Sequence, residues 1–305
     1  MPPPDGGPVG SDRRADVDRS GAAPGIKSLA PGMRALLVTA AVLVFLAGVQ
    51  LYAFPLRTET YFAWTVLPPL TAVFLGASYW SSMVFEASAS QARSWAEARV
   101  SVPTVFIFTT LTLIATLVHR DKFHFGAEHQ FSTRLVTWIW LAIYVVVPVL
   151  MVVLTVVQLR QPGVDPPRDR PLPTPLMVIV GVQALVFIAM GAALFVAPER
   201  ASGWWPWTLT PLTGRAIGAW VFSLGIAAAH SLWERDARRV RPAALADVTF
   251  FVLQGLALIR HGDDVDWDKP VSIVYVVALG MSFVAGLWAL SVAKGPPTAA
   301  VRRSV

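Results

Sequence analysis

The chain contains 305 residues, of which 55% are apolar and 14% are charged. A soluble domain carries about 25% charged residues, so the composition excludes a typical soluble enzyme and predicts an all-α integral membrane protein embedded in a lipid bilayer. Cysteine is absent, which excludes disulfides, thiolate catalysis and iron–sulfur clusters. The formal charge of +6 is typical of arginines that orient membrane spans, so no nucleic-acid partner is predicted.

The first 32 residues are rich in proline and glycine and contain no apolar run. Such a segment cannot bury enough surface to offset its chain entropy, so residues 1–32 are predicted to form a disordered cytoplasmic tail. The apolar stretch from Met33 to Phe54 is too long for the core of a signal peptide, and we interpret it as an uncleaved first span. Residues 294–305 are predicted to form a second cytoplasmic tail.

Hydropathy predicts about eight membrane-spanning helices. The apolar runs are continuous rather than alternating, which favours helices over the strands of a barrel. Each run is close to the roughly 20 residues that cross a bilayer. The predicted spans are 33–54, 62–85, 100–118, 134–159, 175–197, 210–233, 243–260 and 271–293. A cytoplasmic linker at 160–174 separates the fourth span from the fifth.

The basic residues predict the orientation of these spans. If the N-terminus is inside the cell, 17 arginines and lysines fall in cytoplasmic segments and seven fall on the opposite side. Cytoplasmic loops carry an excess of basic residues. The count therefore predicts a plasma-membrane protein with both termini in the cytoplasm, which agrees with an even number of spans.

Two stretches of the chain resemble each other. Residues 54–77 read FPLRTETYFAWTVLPPLTAVFLGA, and residues 197–219 read APERASGWWPWTLTPLTGRAIGA. Three short elements recur in the same order: Trp-Thr at a separation of 143 residues, then Pro-Leu-Thr and Gly-Ala at a separation of 142. The separation of 142 persists to His119 and His261. The pattern predicts two four-helix repeats, at 33–159 and 175–293. Because four is an even number, both repeats enter the membrane the same way up and are parallel.

The stretch from Phe54 to Tyr79 has the pattern FPxxTxxxFAW…PPLTAxFLGAxY, which resembles an uncharacterised family of bacterial multi-pass membrane proteins. The resemblance covers one loop and the second span, and it implies the multi-pass class without an assigned activity. The second half departs from the pattern, with Ala197, Trp205 and Val221 at the corresponding aromatic positions.

Aromatic residues concentrate in the loops that follow the first and fifth spans. They are Tyr61, Phe62, Trp64, Trp204, Trp205 and Trp207. Amphipathic rings favour the membrane interface, so we interpret these side chains as interfacial anchors. The alternative is a stacking surface for a lipid, a quinone or a sugar.

Polar residues inside predicted spans are costly and often mark functional sites. Arg215 lies near the outer end of the sixth span, where it either snorkels to the interface or lines a ligand or ion path. His230 and Asp247 lie at matching depths near the inner ends of the sixth and seventh spans. A short loop makes these helices antiparallel neighbours, so we expect a hydrogen bond, structural or proton-relaying, with Arg235 or Arg238 as rival partners of Asp247.

His119, His261 and Asp263 lie at the corresponding outer ends of the third and seventh spans and are further candidates for a ligand or ion path. The loop after the third span adds His124, Glu128 and His129. These ligand types suit zinc, but the spacing matches no standard zinc motif, so the loop is interpreted as solvated and no metal site is predicted.

No catalytic motif occurs in the chain, so no catalytic residue or cofactor is assigned. Two classes of function stay open. The first is a non-enzymatic helix bundle, transporter-like or scaffold, with a small-molecule or lipid ligand. The second is a membrane-embedded enzyme, or a metal-dependent site, that uses the outer-face histidines. The sequence predicts no oligomeric state.

Overall fold

The computed structural model describes residues 25–296, and within that range the chain is helical and contains no β-strand. Eight helices of 18 residues or more occur there, labelled in chain order. They are α1 (Pro31–Gly48), α2 (Pro69–Ser90), α3 (Ser101–Val118), α4 (Phe131–Leu159), α5 (Thr174–Val196), α6 (Pro211–Glu234), α7 (Arg241–His261) and α8 (Pro270–Lys294). A π-helical turn, Val49–Ala53, extends α1. Short helices Thr58–Tyr61, Trp95–Ala98 and Pro198–Ala201 lie in the loops.

The predicted class, an all-α multi-pass membrane protein, is confirmed. Seven helices in the described range are long and apolar enough to cross a membrane. They coincide with seven of the eight predicted spans. The predicted span at 62–85 corresponds to α2, which has 22 residues but is less apolar than the others because it carries several serines and Glu86.

Helix α2 is less apolar because protein rather than lipid surrounds it. Most of its residues are buried, including Thr71 and Ser78 at 0% exposure. Neighbouring side chains bond to its polar atoms: Trp207 donates through Nε1 to Thr71 Oγ1 at 2.9 Å, and Gln254 donates through Nε2 to the Phe74 carbonyl at 3.2 Å. A buried polar group is tolerated where it is hydrogen-bonded. The helix therefore lies at the centre of the bundle.

The helices of the first half (α1–α4) and the second half (α5–α8) pack across the boundary between the halves. Helix α2 packs along α1 and also along α7, whereas α6 packs along α5 and also along α3. The second helix of each half therefore contacts the third helix of the other half more closely than the third helix of its own. The two halves consequently share one core.

Two glycines permit close helix crossings at matching places. A Cβ atom on Gly76 would lie 2.6 Å from the backbone nitrogen of Tyr52, and one on Gly218 would lie 2.8 Å from the backbone nitrogen of Phe195. Contacts this short require a residue without a side chain. In each half, the glycine of the second helix thus lies against the backbone near the end of the first helical segment, at corresponding positions of the two repeats.

Backbone hydrogen bonds also recur at matching positions. At one end of the bundle, Trp95 N donates to Lys27 O and Ala237 N donates to Arg170 O. At the opposite end, His124 N donates to Ala63 O and Asp266 N donates to Pro206 O. Below, the first end, which carries the loops before α3 and α7, is called the inner end, and the opposite end is called the outer end.

Residues 25–30, at the end of the predicted N-terminal tail, are extended and paired rather than disordered. Lys27 N donates to Val164 O, Trp95 N donates to Lys27 O, and Leu29 is 4% exposed. The sequence lacks an apolar run here, but backbone pairing with two loops does not need one. The remainder of the tail, 1–24, and the last residues, 297–305, lie outside the described range.

Candidate functional site

A cavity of about 70 Å³ lies in the inner half of the bundle, between helices of both halves. We call it the inner cavity. Apolar side chains form most of its wall, with alanines and Gly286 on the α7 and α8 side. Its polar lining residues are Ser81, Ser82, Thr104, Gln183, Ser223, Ser231 and Asp247. Small-ligand sites are usually lined in this way, by apolar side chains with a few convergent polar groups.

Asp247 is the charged residue in the wall of the inner cavity. Its carboxylate interacts with the side-chain amide of Gln183, which reaches it from α5. On the other side α8 approaches closely, because a Cβ atom on Gly286 would lie 3.5 Å from the Cβ of Asp247. Three helices thus fix the position of this carboxylate inside the membrane-spanning region.

Glu86 lies next to the inner cavity on α2 and is 2% exposed. One of its oxygens, Oε1, accepts a hydrogen bond of 3.3 Å from Ser82, which lines the cavity. The other, Oε2, has no partner among residues 25–296. Glu86 is not among the residues predicted from sequence, because the predicted second span ends at residue 85 and leaves it outside the membrane. The signal was present as a lone acid at the end of an apolar run.

His230 and Asp247 do not form the expected pair. His230 Nε2 lies 3.4 Å from Glu234 Oε1, one turn along the same helix, and its ring packs against Trp233. It faces a second cavity, lined by α3 and α4 residues together with Arg99, and not the inner cavity. The prediction assumed that a short loop makes α6 and α7 close neighbours. Instead, α6 packs along α3 and α5, and α7 packs along α2 and α8.

A cluster of charges closes the inner end of the bundle. Glu234, whose side chain is fully buried, accepts hydrogen bonds from Arg99 Nη2 at 2.8 Å and from Arg239 Nη1 at 3.0 Å. Arg99 also pairs with Asp165 of the linker. The two arginines precede α3 and α7, so Glu234 joins the loops of both halves. Arg238, the rival partner expected for Asp247, pairs instead with Glu97 and Asp169.

Arg215 and His119, which the sequence analysis named separately, contact each other at the outer end. Arg215 Nη1 lies 2.6 Å from His119 Nε2. Partial burial and the nearby guanidinium both lower the pKa of His119 from its usual value of 6.5. The neutral ring accepts the hydrogen bond, because arginine has only donors.

The second half has no equivalent of this contact at the corresponding residues in the described part of the chain. His261 Nε2 has no hydrogen-bond partner in the described part of the chain, and Asp263 is exposed. The neighbouring Asp264 accepts a hydrogen bond of 2.8 Å from the backbone nitrogen of Leu70, at the start of α2. Among residues 25–296, no three His, Asp or Glu side chains are arranged to hold a metal ion.

His124 is buried in the outer loop and acts as a structural residue. One of its ring nitrogens, Nε2, lies 3.1 Å from Thr65 Oγ1, and the other, Nδ1, lies 3.0 Å from the Phe62 carbonyl oxygen. Burial lowers the pKa of the ring. Both nitrogens are therefore used in holding the loop.

Comparisons with models of protein families, with curated proteins and with solved structures found no match to this chain.

Proposed function

We propose that this protein is a transporter-like membrane protein that binds a small cationic solute in the inner cavity. The observation that carries the proposal is the carboxylate of Asp247, in contact with Gln183 at the wall of a cavity between the two halves. Carboxylates within a membrane-spanning region are costly and typically mark ion or substrate pathways. Glu86 places a second carboxylate beside the same cavity.

The architecture we propose has eight spans in two parallel four-helix repeats, 33–159 and 175–293. Its support is the recurrence of contacts at the separation seen in the sequence: Gly76 with Tyr52 corresponds to Gly218 with Phe195. The paired backbone bonds at both ends of the bundle follow the same separation. In this proposal α2 is the eighth span, and its polar residues are tolerated because it is enclosed by other helices.

An even number of spans brings both termini to one side, and the excess of basic residues in the inner loops favours the cytoplasm of a plasma-membrane protein. The inner cluster around Glu234 then lies at the cytoplasmic face. Ser231 and Val240 line the inner cavity and are close in sequence to Glu234 and Arg239. The charged cluster around Glu234 therefore lies next to the cavity at its cytoplasmic end, and it supports a state of the bundle that is closed on the cytoplasmic side.

The chemistry of the inner cavity favours a small ammonium-type cation. One carboxylate supplies the charge, while the Gln183 amide and several hydroxyl groups supply oxygen acceptors. A volume of about 70 Å³ leaves room for a solute no larger than a few non-hydrogen atoms.

The test is uptake of radiolabelled methylammonium into liposomes that contain the purified protein. We expect uptake well above that of empty liposomes, and a loss of about tenfold or more in Asp247→Asn. Asp268→Asn, which removes an exposed carboxylate of the outer loop, away from the inner cavity, is the matched control and should transport normally. Equal uptake by the wild type and Asp247→Asn would contradict the assigned site. Uptake no greater than in empty liposomes would contradict transport of this solute class and favour a scaffold.

A further inference from the structure

A groove lies at the inner end of the bundle, between α3, α4 and the last turns of α6. It is the cavity that His230 faces, its volume is about 470 Å³, and we call it the lipid-facing groove. Helix α4 packs along α3 but makes little contact with α6, so a gap remains between α4 and α6. The α4 residues that line the groove run from Met151 to Leu159, about 12 Å along the helix axis. Because Leu159 is the last residue of α4, the groove reaches the inner end of this span.

The wall of the lipid-facing groove is mostly apolar and is open at one edge. Met151 is 1% exposed, whereas Val152 and Val156 on the same helix are 51% and 43% exposed. The three helices around the groove are all long and apolar enough to span a membrane, so the exposed valines contact lipid. A lipid acyl chain therefore enters the groove sideways from the bilayer without passing through water.

An aromatic ring and a guanidinium border the lipid-facing groove at its inner end. The guanidinium carbon of Arg99 lies 4.6 Å from the centroid of the Trp233 ring, and Trp233 is 59% exposed. Amphipathic rings at exposed positions favour the depth of the lipid head groups. The charge of Arg99 is already compensated, because the residue pairs with Asp165 and with Glu234. Free positive charge at this end of the groove must come from other residues.

Lys27 and Arg160 supply that charge. The backbone of Lys27 is held by Val164 and Trp95, and its ammonium donates to the carbonyl oxygen of Leu159, at the inner end of the groove, at 3.2 Å. An ammonium has three donors, so two of them remain available. Arg160 follows Leu159 directly and is exposed. Neither cation forms an ion pair with a carboxylate among residues 25–296.

We infer that the lipid-facing groove binds an anionic phospholipid, with an acyl chain along α4 and the phosphate beside Lys27 and Arg160. The charges are complementary, because the two unpaired groups at the end of the groove are both cations. Basic residues also outnumber acidic ones in the inner loops, and such residues attract anionic lipids at a membrane surface. The inference concerns a lipid and does not depend on the solute proposed for the inner cavity.

The experiment measures thermal unfolding of the purified, delipidated protein in a neutral detergent with two added lipids. Dioleoyl phosphatidylglycerol carries a net negative charge and dioleoyl phosphatidylcholine carries none, while their acyl chains are identical. A lipid that binds the folded protein raises the midpoint of unfolding. At saturating lipid, phosphatidylglycerol should raise the midpoint by about 2–4 °C more than phosphatidylcholine does. Equal shifts would indicate lipid contact without recognition of charge and would overturn the inference.

Charge variants locate the head group. Lys27→Gln combined with Arg160→Gln removes both cations at the groove and should abolish the advantage of phosphatidylglycerol. The matched control combines Arg241→Gln with Lys294→Gln, which removes two exposed cations at the inner ends of α7 and α8, and it should keep the advantage. An advantage that persists in the first double variant, or that is lost in the control, would overturn the assigned position of the phosphate.

A second pair of variants locates the acyl chain. Val152→Trp fills the lipid-facing groove and should abolish the advantage of phosphatidylglycerol. Val153→Trp places the same ring at the next position of α4, which is also 51% exposed but does not line the groove, and it should keep the advantage. If Val152→Trp fails to fold, the charge variants decide. Equal advantages in Val152→Trp and Val153→Trp would overturn binding in the groove.

Discussion

Arg215 and His119 lie 2.6 Å apart, although 96 residues separate them in the chain. The bond joins the start of α6 to the end of α3. At the opposite end of the same two helices, Arg99 just before α3 binds Glu234 at the end of α6. A pair of helices from different halves is thus fastened by polar contacts at both ends. The other cross-half pair, α2 with α7, carries the two carboxylates near the inner cavity, Glu86 and Asp247.

The contact between Arg215 and His119 predicts a dependence of stability on pH. Because the pKa of His119 is lowered in the folded protein, the unfolded chain takes up a proton near pH 6.5, while the folded chain does so only at lower pH. Stability is therefore complete above about pH 6.5 and declines as the pH falls below it. Comparing midpoints of unfolding at pH 8 and pH 5.5 should show a smaller decline in His119→Gln than in the wild type.

The control for this measurement is Ser132→Ala, which changes an exposed side chain at the outer end of the bundle and removes no titratable group. This replacement should leave the decline between pH 8 and pH 5.5 unchanged. His124, which also has a lowered pKa, should account for part of the decline that remains in His119→Gln. An unchanged decline in His119→Gln would contradict the role assigned to the histidine.

Glu234→Gln should destabilise the protein strongly. The substitution removes the negative charge from a fully buried position that two arginines contact. Breaking a buried ion pair by removing one partner costs about 3–5 kcal/mol, because the remaining charges stay buried. Glu97→Gln is the control, because its partner Arg238 is half exposed and such pairs contribute about 1 kcal/mol or less. Denaturant unfolding in detergent micelles measures both, and similar losses for the two variants would refute the argument.

The proposed topology predicts the location of two loops. A reporter fused after Gly262 should behave as external, and one fused after Asp236 should behave as cytoplasmic, because the basic residues between α6 and α7 favour the inner side. Paired alkaline phosphatase and fluorescent-protein fusions report the two locations with opposite signals. Reversed signals at either point would be incompatible with eight spans and an internal N-terminus.

The helices and the membrane class could be predicted from sequence because each depends on local composition. A continuous apolar run of about 20 residues has few alternatives to a spanning helix. Helix α2 was also located, but its environment was not, because burial among other helices is a property of the whole bundle. The environment of the loop tryptophans was likewise not predictable from local composition. Trp64 and Trp207 are 3% and 1% exposed and lie in the core, so the interpretation as interfacial anchors is wrong for them.

The candidate site was harder to predict because it depends on which helices are neighbours. The short loop between α6 and α7 suggested that His230 and Asp247 face each other, but each helix packs along a helix of the other half. Arg215 and His119 were both recognised as unusual, yet nothing in the sequence joins positions 96 residues apart.

Because α1 and α2 cross closely at Gly76, replacement by alanine should have opposite effects on stability at Gly76 and at Gly255. Gly76→Ala would place a methyl group 2.6 Å from the backbone nitrogen of Tyr52, so α1 and α2 would have to separate. Such overpacking costs about 1–3 kcal/mol. Gly255, inside α7, has no atom within 4 Å of the same position. Gly255→Ala should therefore stabilise the protein by roughly 0.5–1 kcal/mol, through the loss of backbone freedom in the unfolded chain. The test is to measure the free energies of unfolding of both variants under identical detergent conditions. A loss of stability in Gly255→Ala as large as that in Gly76→Ala would show that close packing at Gly76 is not the cause of the destabilisation.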